Sequence, residues 1–299
     1  MRKINYYELG ATLYLPMNHK NVLPILRREK YVDIKSIVLC LEDSVSDEDL
    51  PESMMILEEL LASSKFDVSS LKVFIRPRGI DNLRKVLLMK NIDLIDGFSI
   101  PKFDTDNAAE YLSIFIEKNK FYFMPILESK DVFSSIKLAQ IANELVPFKE
   151  RVLCVRVGSE DILSILNMMR GCDKTIYEIM PLYIILSTII NLFKLKGFNI
   201  SSPVYSCYEN PEILAKELHG DVEHQIFNKT IIHPGQAFVL HDSYKVCKED
   251  YLVAKRLLDG VESVFGARGR MYEKKTHSNW AKSIIEREKH YGIKESIDA

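Results

Sequence analysis

Short apolar runs recur along the chain, most of them apolar at consecutive positions rather than at alternate ones. Strands covered on both faces read this way, as in a parallel sheet flanked by helices. The runs predict eight strands: Thr12–Leu15, Ser36–Leu41, Lys72–Ile75, Gly97–Ile100, Phe121–Leu127, Val152–Val157, Pro203–Ser206 and Thr230–Ile232. Between them lie stretches of helical periodicity: Leu50–Ser63, Asp81–Met89, Asn107–Lys118, Val132–Leu145, Tyr177–Lys196 and Pro211–Leu218. Strands alternating with helices predict βαβ units, and eight of them predict an α/β fold of the closed (β/α)8 TIM-barrel type. The first strand leads into LPMNHKN, not into a glycine-rich turn, which argues against a dinucleotide-binding sheet. A helix over Lys248–Leu258 follows the eighth strand. GVESVFGARGRMYEKKTHSNW then reads as a mobile loop, and Ser278–Lys289 as a last amphipathic helix. The expected organisation is a barrel domain over 1–265 and a C-terminal loop and helical extension over 266–299.

Five of the runs end in charge. VLCLED closes on Glu42 and Asp43, VFIR on Arg76, FSIPK on Lys102, FMPILE on Glu128, and LCVRVGSED on Glu160 and Asp161. A barrel gathers its strand ends at the rim where functional groups sit. Glu128 and Asp161, from neighbouring strands, suit a hard divalent ion, Mg²⁺ or Mn²⁺; Mg²⁺ takes one or two carboxylates and leaves the rest of its shell to water and substrate. Arg76 is the candidate to grip a substrate carboxylate in a bidentate way. Ordinary rim ion pairing is the competing reading of all three. Glu42 and Asp43 are adjacent, so on an extended chain one faces the mouth and pairs with Arg76 while the other caps the next loop. Lys102 binds an anion or pairs with Glu42 or Glu128. Glu160 reads as structural.

The histidines form no HExxH motif, which excludes the commonest zinc-hydrolase pattern. His19, in the first strand-to-helix loop, is a candidate for general acid/base work, and His233 shapes the rim. The net charge of −2 gives no support for a nucleic-acid partner. The five cysteines are widely spaced with no CxxC pair, and they read as reduced thiols of a cytoplasmic protein. The most apolar stretch, Ile179–Phe193, is too short and too interrupted by polar residues to cross a membrane.

Seven segments in this order resemble the HpcH/HpaI aldolase and citrate lyase β-subunit-like family of TIM-barrel C–C lyases, from about Gly10 to Leu258. They are ATLYLPMNHKN, LCLEDSV, VFIRPRG, GFSIPKF, PILES, VGSEDIL and FNKTIIHPGQ. The resemblance implies that Glu128 and Asp161 ligate Mg²⁺, that Arg76 binds the substrate carboxylate, and that Glu42, Asp43 and Lys102 support the same mouth. It implies a lyase or aldolase that acts on a keto- or hydroxy-acid, or on its acyl-CoA thioester, through a metal-stabilised enolate. It also implies a homo-oligomer, trimer or hexamer, while the charge balance and the short apolar stretch argue against a nucleic-acid or membrane partner. The base stays open between His19, a water on the metal and a group from a neighbouring subunit. The tail THSNWAKSII is similar to a branch associated with bacterial tellurite-resistance-type stress gene clusters. Two departures weaken the case for CoA: Gly10, Ala11 and Thr12 stand where the family carries an arginine–serine pair, and Met17 replaces the glycine after the strand-one proline. These departures and the tail motivate an alternative, a non-catalytic barrel that binds an acidic metabolite or a protein partner.

Overall fold

The structure, a computed structural model, describes residues 2–63 and 70–294. Its strands are β1 (Ala11–Pro16), β2 (Ser36–Cys40), β3 (Lys72–Arg76), β4 (Gly97–Ile100), β5 (Tyr122–Leu127), β6 (Val155–Val157), β7 (Ile200–Ser201) and β8 (Lys229–Ile231). They run parallel in the order β7-β6-β5-β4-β3-β2-β1-β8. A bridge between Ser202 and Lys229 brings the end of β7 against β8 and closes the ring. There the Ser202 N–H donates to the Asn228 carbonyl at 2.8 Å. The connections carry α1 (Val22–Leu26), α2 (Leu50–Ser63), α3 (Ile80–Val86), α4 (Ala108–Glu117), α5 (Ser135–Leu145), α6 (Ser159–Ile165), α7 (Met180–Leu195) and α8 (Pro211–Glu223). This is a TIM barrel.

The runs became strands because both of their faces are covered. Every residue of β2 and β5 is buried. On the outside, α4 presents Ala108, Tyr111, Leu112 and Phe115, the spacing of one helical face. Phe115 stacks on Phe123 of β5 at 4.3 Å between ring centroids. The predicted seventh strand over Pro203–Ser206 lies instead at Ile200–Ser201. Pro203 has no N–H to give a ladder, so regular pairing stops before it. The helices α1 and α6, five and seven residues long, went unpredicted.

A buried ionic network ties α8 to β8. Glu217 accepts from Arg170 Nη1 at 2.8 Å and lies 2.7 Å from Lys229 Nζ. Asp221 lies 3.4 Å from Lys229 Nζ, and it accepts from Ser202 Oγ and Tyr177 Oη at 2.7 Å each.

Cys172 and Cys207 form a disulfide between the loop after α6 and the loop after β7. This corrects the expectation of uniformly reduced thiols. Their Cα atoms are 5.5 Å apart, within disulfide range, although 35 residues separate them in sequence and no spacing motif marks the pair. Cys40 and Cys154 are free and buried, as expected, and Cys247 is free and half-buried.

The chain divides into two compact units, Met1–Ala237 and Phe238–Ala299. The division differs from the expected boundary at 265, which would cut a strand. The helix α9 covers Gln236–Ser243. In the second unit, α10 (Lys248–Asp259) and α11 (Lys274–Tyr291) enclose a core of Val253, Ala254, Leu257, Ala281 and Ile284. Phe265 and Tyr272 join that core from an antiparallel hairpin, β9 (Val264–Ala267) and β10 (Arg270–Glu273). The expected mobile loop is therefore a hairpin. Arg268 and Gly269 both take left-handed φ, 52° and 71°, as a tight two-residue hairpin turn requires. Positions 295–299 of the expected extension lie outside the described residues. No described helix is long and apolar enough to cross a membrane.

Candidate active site

Arg76, the last residue of β3, is the hub of the rim. Its Nη2 lies 2.5 Å from Glu42 Oε2, 2.8 Å from Asp43 Oδ2 and 3.4 Å from Glu128 Oε1. The chain bends straight after β2, so Glu42 and Asp43 both turn towards Arg76. The expectation that one of them pairs with Arg76 while the other caps the next loop assumed a strand that continued through both; instead both pair with Arg76. Lys102 makes the second crossing. Its Nζ lies 2.6 Å from Glu42, 3.2 Å from Asp43 and 3.6 Å from Asp161. Its backbone N–H donates to Glu128 Oε1 at 2.9 Å, from a left-handed φ of 48° that few non-glycine residues adopt. Glu128, just past β5, is 4% exposed, and Asp161 sits in the first turn of α6.

Asp43, Arg76, Glu128 and Asp161 open on a cavity of about 480 Å³ inside the first unit. Tyr14, His19, Asp43, Arg76, Glu128, Arg156 and Asp161 are among its walls. Burial, with the nearby Asp161 charge adding to it against the pull of Arg76, holds the Glu128 carboxyl up at about 7. Burial also raises the Glu42 carboxyl. Partial burial works against the Lys102 ammonium, yet its hydrogen bond to Glu42 and the surrounding carboxylates hold its pKa above the ordinary lysine value. Gly158, after β6, is small of necessity, because a Cβ there would collide with the Glu128 carboxylate.

Among the described residues no group of three or more His, Cys, Asp or Glu side chains forms a metal cage. Glu128 and Asp161 nevertheless fit Mg²⁺. They are hard oxygen donors on one cavity, close enough for one charge to raise the other's pKa, and two protein carboxylates are a usual number for Mg²⁺.

His19 lines the cavity, and its Nδ1 accepts from the Asn21 N–H at 3.1 Å. His233 is stacked on Tyr208 at 5.0 Å. Glu160 is exposed on the cavity wall. Sequence reasoning missed Arg156, Tyr14 and Gly158. The available signal for Arg156 was a charge in the middle of an apolar run. In a strand covered by helices outside, such a charge belongs in the barrel lumen.

The fold and this rim define a class, the TIM-barrel lyases that break carbon–carbon bonds. The chain belongs to the family of C–C bond lyases of the TIM-barrel fold, whose model matches residues 3–293. In three dimensions it is similar to a citrate lyase from Burkholderia xenovorans, with a TM-score of 0.75 at 14% identity over 97% of this chain and 94% of that one. It is also similar to the CitE protein of Mycobacterium tuberculosis in complex with magnesium, acetoacetate and coenzyme A, with a TM-score of 0.69 at 19% identity over 93% and 97% of the two chains. The citrate lyase β subunit of the same organism, complexed with oxaloacetate and magnesium, follows at 0.59 and 18% over 81% and 99%. At these identities the likeness concerns the fold. No curated protein matches the chain in sequence.

Proposed function

We propose that this chain is a Mg²⁺-dependent carbon–carbon lyase or aldolase for a keto- or hydroxy-acid, free or as an acyl-CoA thioester. The observation that carries the reading is the meeting of Glu128, Asp161 and Arg76 on one cavity, with the Lys102 ammonium 3.6 Å from Asp161. Glu128 and Asp161 would hold the ion. Mg²⁺ would supply Lewis-acid stabilisation of the charge that develops on a substrate oxygen when a bond beside a carbonyl breaks. Glu42 and Asp43 fix the Arg76 guanidinium through Nη2. Arg76 in turn holds their charges together and orients a substrate carboxylate. Lys102, with its ammonium near Asp161, offsets negative charge at the reacting end. His19 is the imidazole on the cavity wall and the candidate for proton transfer. The protein is proposed to work in the cytoplasm as a homo-oligomer, trimer or hexamer.

Calorimetric titration of Mg²⁺ into the wild type, Glu128→Ala and Asp161→Ala tests the metal assignment. Each substitution is expected to weaken binding by about tenfold or more, the scale of one lost charge-assisted contact. Equal affinity in all three proteins would sink the assignment.

A further inference from the structure

Arg156, the middle residue of β6, is a buried cation with no carboxylate partner among the described residues. It is 2% exposed and lines the same cavity as Glu128 and Asp161. The three other buried cations among the described residues of the first unit are all neutralised: Arg76 by Glu42, Asp43 and Glu128, Arg170 by Glu217, and Lys229 by Glu217 and Asp221. Among the described residues Arg156 meets only neutral groups. Its Nη1 donates to Asn228 Oδ1 at 3.2 Å, with weak contacts to the sulfurs of Met124 and Cys154, and its Nη2 donates to Thr230 Oγ1 at 2.6 Å. Its guanidinium lies over the Tyr14 ring at 5.1 Å.

These neighbours aim the fork without cancelling its charge. The Asn228 amide is locked, because its Nδ2 donates to the Gly10 carbonyl at 2.6 Å and to Thr12 Oγ1 at 2.8 Å. That leaves Oδ1 for Arg156. A buried guanidinium without a counter-charge is costly, and one that faces a cavity can recover that cost from an anion that enters it. Planar guanidinium groups match carboxylates in particular.

We propose that Arg156 is the receptor for the acidic end of the substrate remote from the reacting carbon, which makes it a specificity-determining residue of this pocket. The register sets the reach. Arg156 pairs with Ile126, two residues before Glu128, so it lies roughly 7 Å deeper along the barrel than the carboxylates at the rim. A short keto acid with a second carboxylate spans that distance, its carbonyl at the rim and its far carboxylate on Arg156. The inference rests on the proposed lyase site for which end reacts, while the anion subsite can be measured without turnover.

The test compares 2-oxoglutarate with 2-oxopentanoate, an acid of equal length without the far carboxylate, by calorimetry with and without Mg²⁺. The wild type is expected to prefer 2-oxoglutarate by roughly ten- to a hundredfold, the range of a charge-assisted pair. Arg156→Gln is expected to lose that preference and keep its affinity for Mg²⁺. Should that variant fail to fold, Arg156→Lys, which keeps the charge without the fork, is expected to show an intermediate preference. Equal binding of the two acids by the wild type would overturn the proposal, as would a full preference in folded Arg156→Gln. Wild type that binds Mg²⁺ but does not discriminate refutes Arg156 alone. Wild type that discriminates but binds no Mg²⁺ refutes the metal reading and leaves Arg156 standing.

Discussion

Glu128 and residue 158 compete for one small space, and the glycine yields it to the carboxylate. Gly158→Ala should therefore weaken Mg²⁺ by about tenfold or more, as removal of the Glu128 contact would. It should leave the far-ultraviolet circular dichroism spectrum unchanged. Mg²⁺ affinity equal to the wild type would show that Glu128 has room to spare. The rim residues Glu42, Asp43, Arg76, Lys102, Glu128 and Asp161 were legible in the sequence, because a charge that ends a buried strand has only the rim to occupy. Their partners were less legible. The bend after β2 turned both acidic neighbours to one arginine, and no run pattern announces a bend. Arg156 was overlooked although its charge interrupts an apolar run, because the run alone does not show which side chains face the lumen and which face the helices.

At the scale of elements, seven of the eight strands fell where the runs placed them, apart from a few end residues. β7 moved because Pro203 interrupts pairing, and its backbone ends in the Ser202 bridge. What the sequence could not show is how these elements are pinned by pairs distant in the chain. Glu217, on α8, neutralises both Arg170 and Lys229 in a site sealed from water. Glu217→Ala should cost about 3–5 kcal/mol, because it strands the buried Arg170 and leaves Lys229 with Asp221 alone at 3.4 Å. Urea unfolding followed by circular dichroism measures this, and a loss within 1 kcal/mol or so would mean that water reaches the site. The Cys172–Cys207 bridge closes a loop over a separation of 35 residues. Its removal in a Cys172→Ser, Cys207→Ser double variant should lower stability by about 2–4 kcal/mol. An unfolding midpoint that is the same for the variant and for the untreated wild type would show that the pair does not constrain the chain.

For the whole molecule, strand–helix alternation and the order of the rim motifs led to the TIM barrel and to the lyase family that the comparisons support. The second unit was harder to read. Its hairpin depends on two left-handed residues, Arg268 and Gly269, in a stretch whose glycines and charges also suit a loop. The chemistry proposed for the barrel requires charge to develop on a carbonyl oxygen and to be stabilised by an ion on Glu128 and Asp161. Nuclear magnetic resonance can follow this in D₂O without the natural substrate, as deuterium exchange at the carbon next to the carbonyl of a short 2-oxo acid. With Mg²⁺ the wild type should exchange that position above the background rate, and Asp161→Asn should lower the catalysed rate by about a hundredfold or more, since a metal supplies several kcal/mol to such a step. Catalysed exchange at equal rates in wild type and Asp161→Asn, or in wild type stripped of metal, would contradict the assignment of a metal-assisted lyase site.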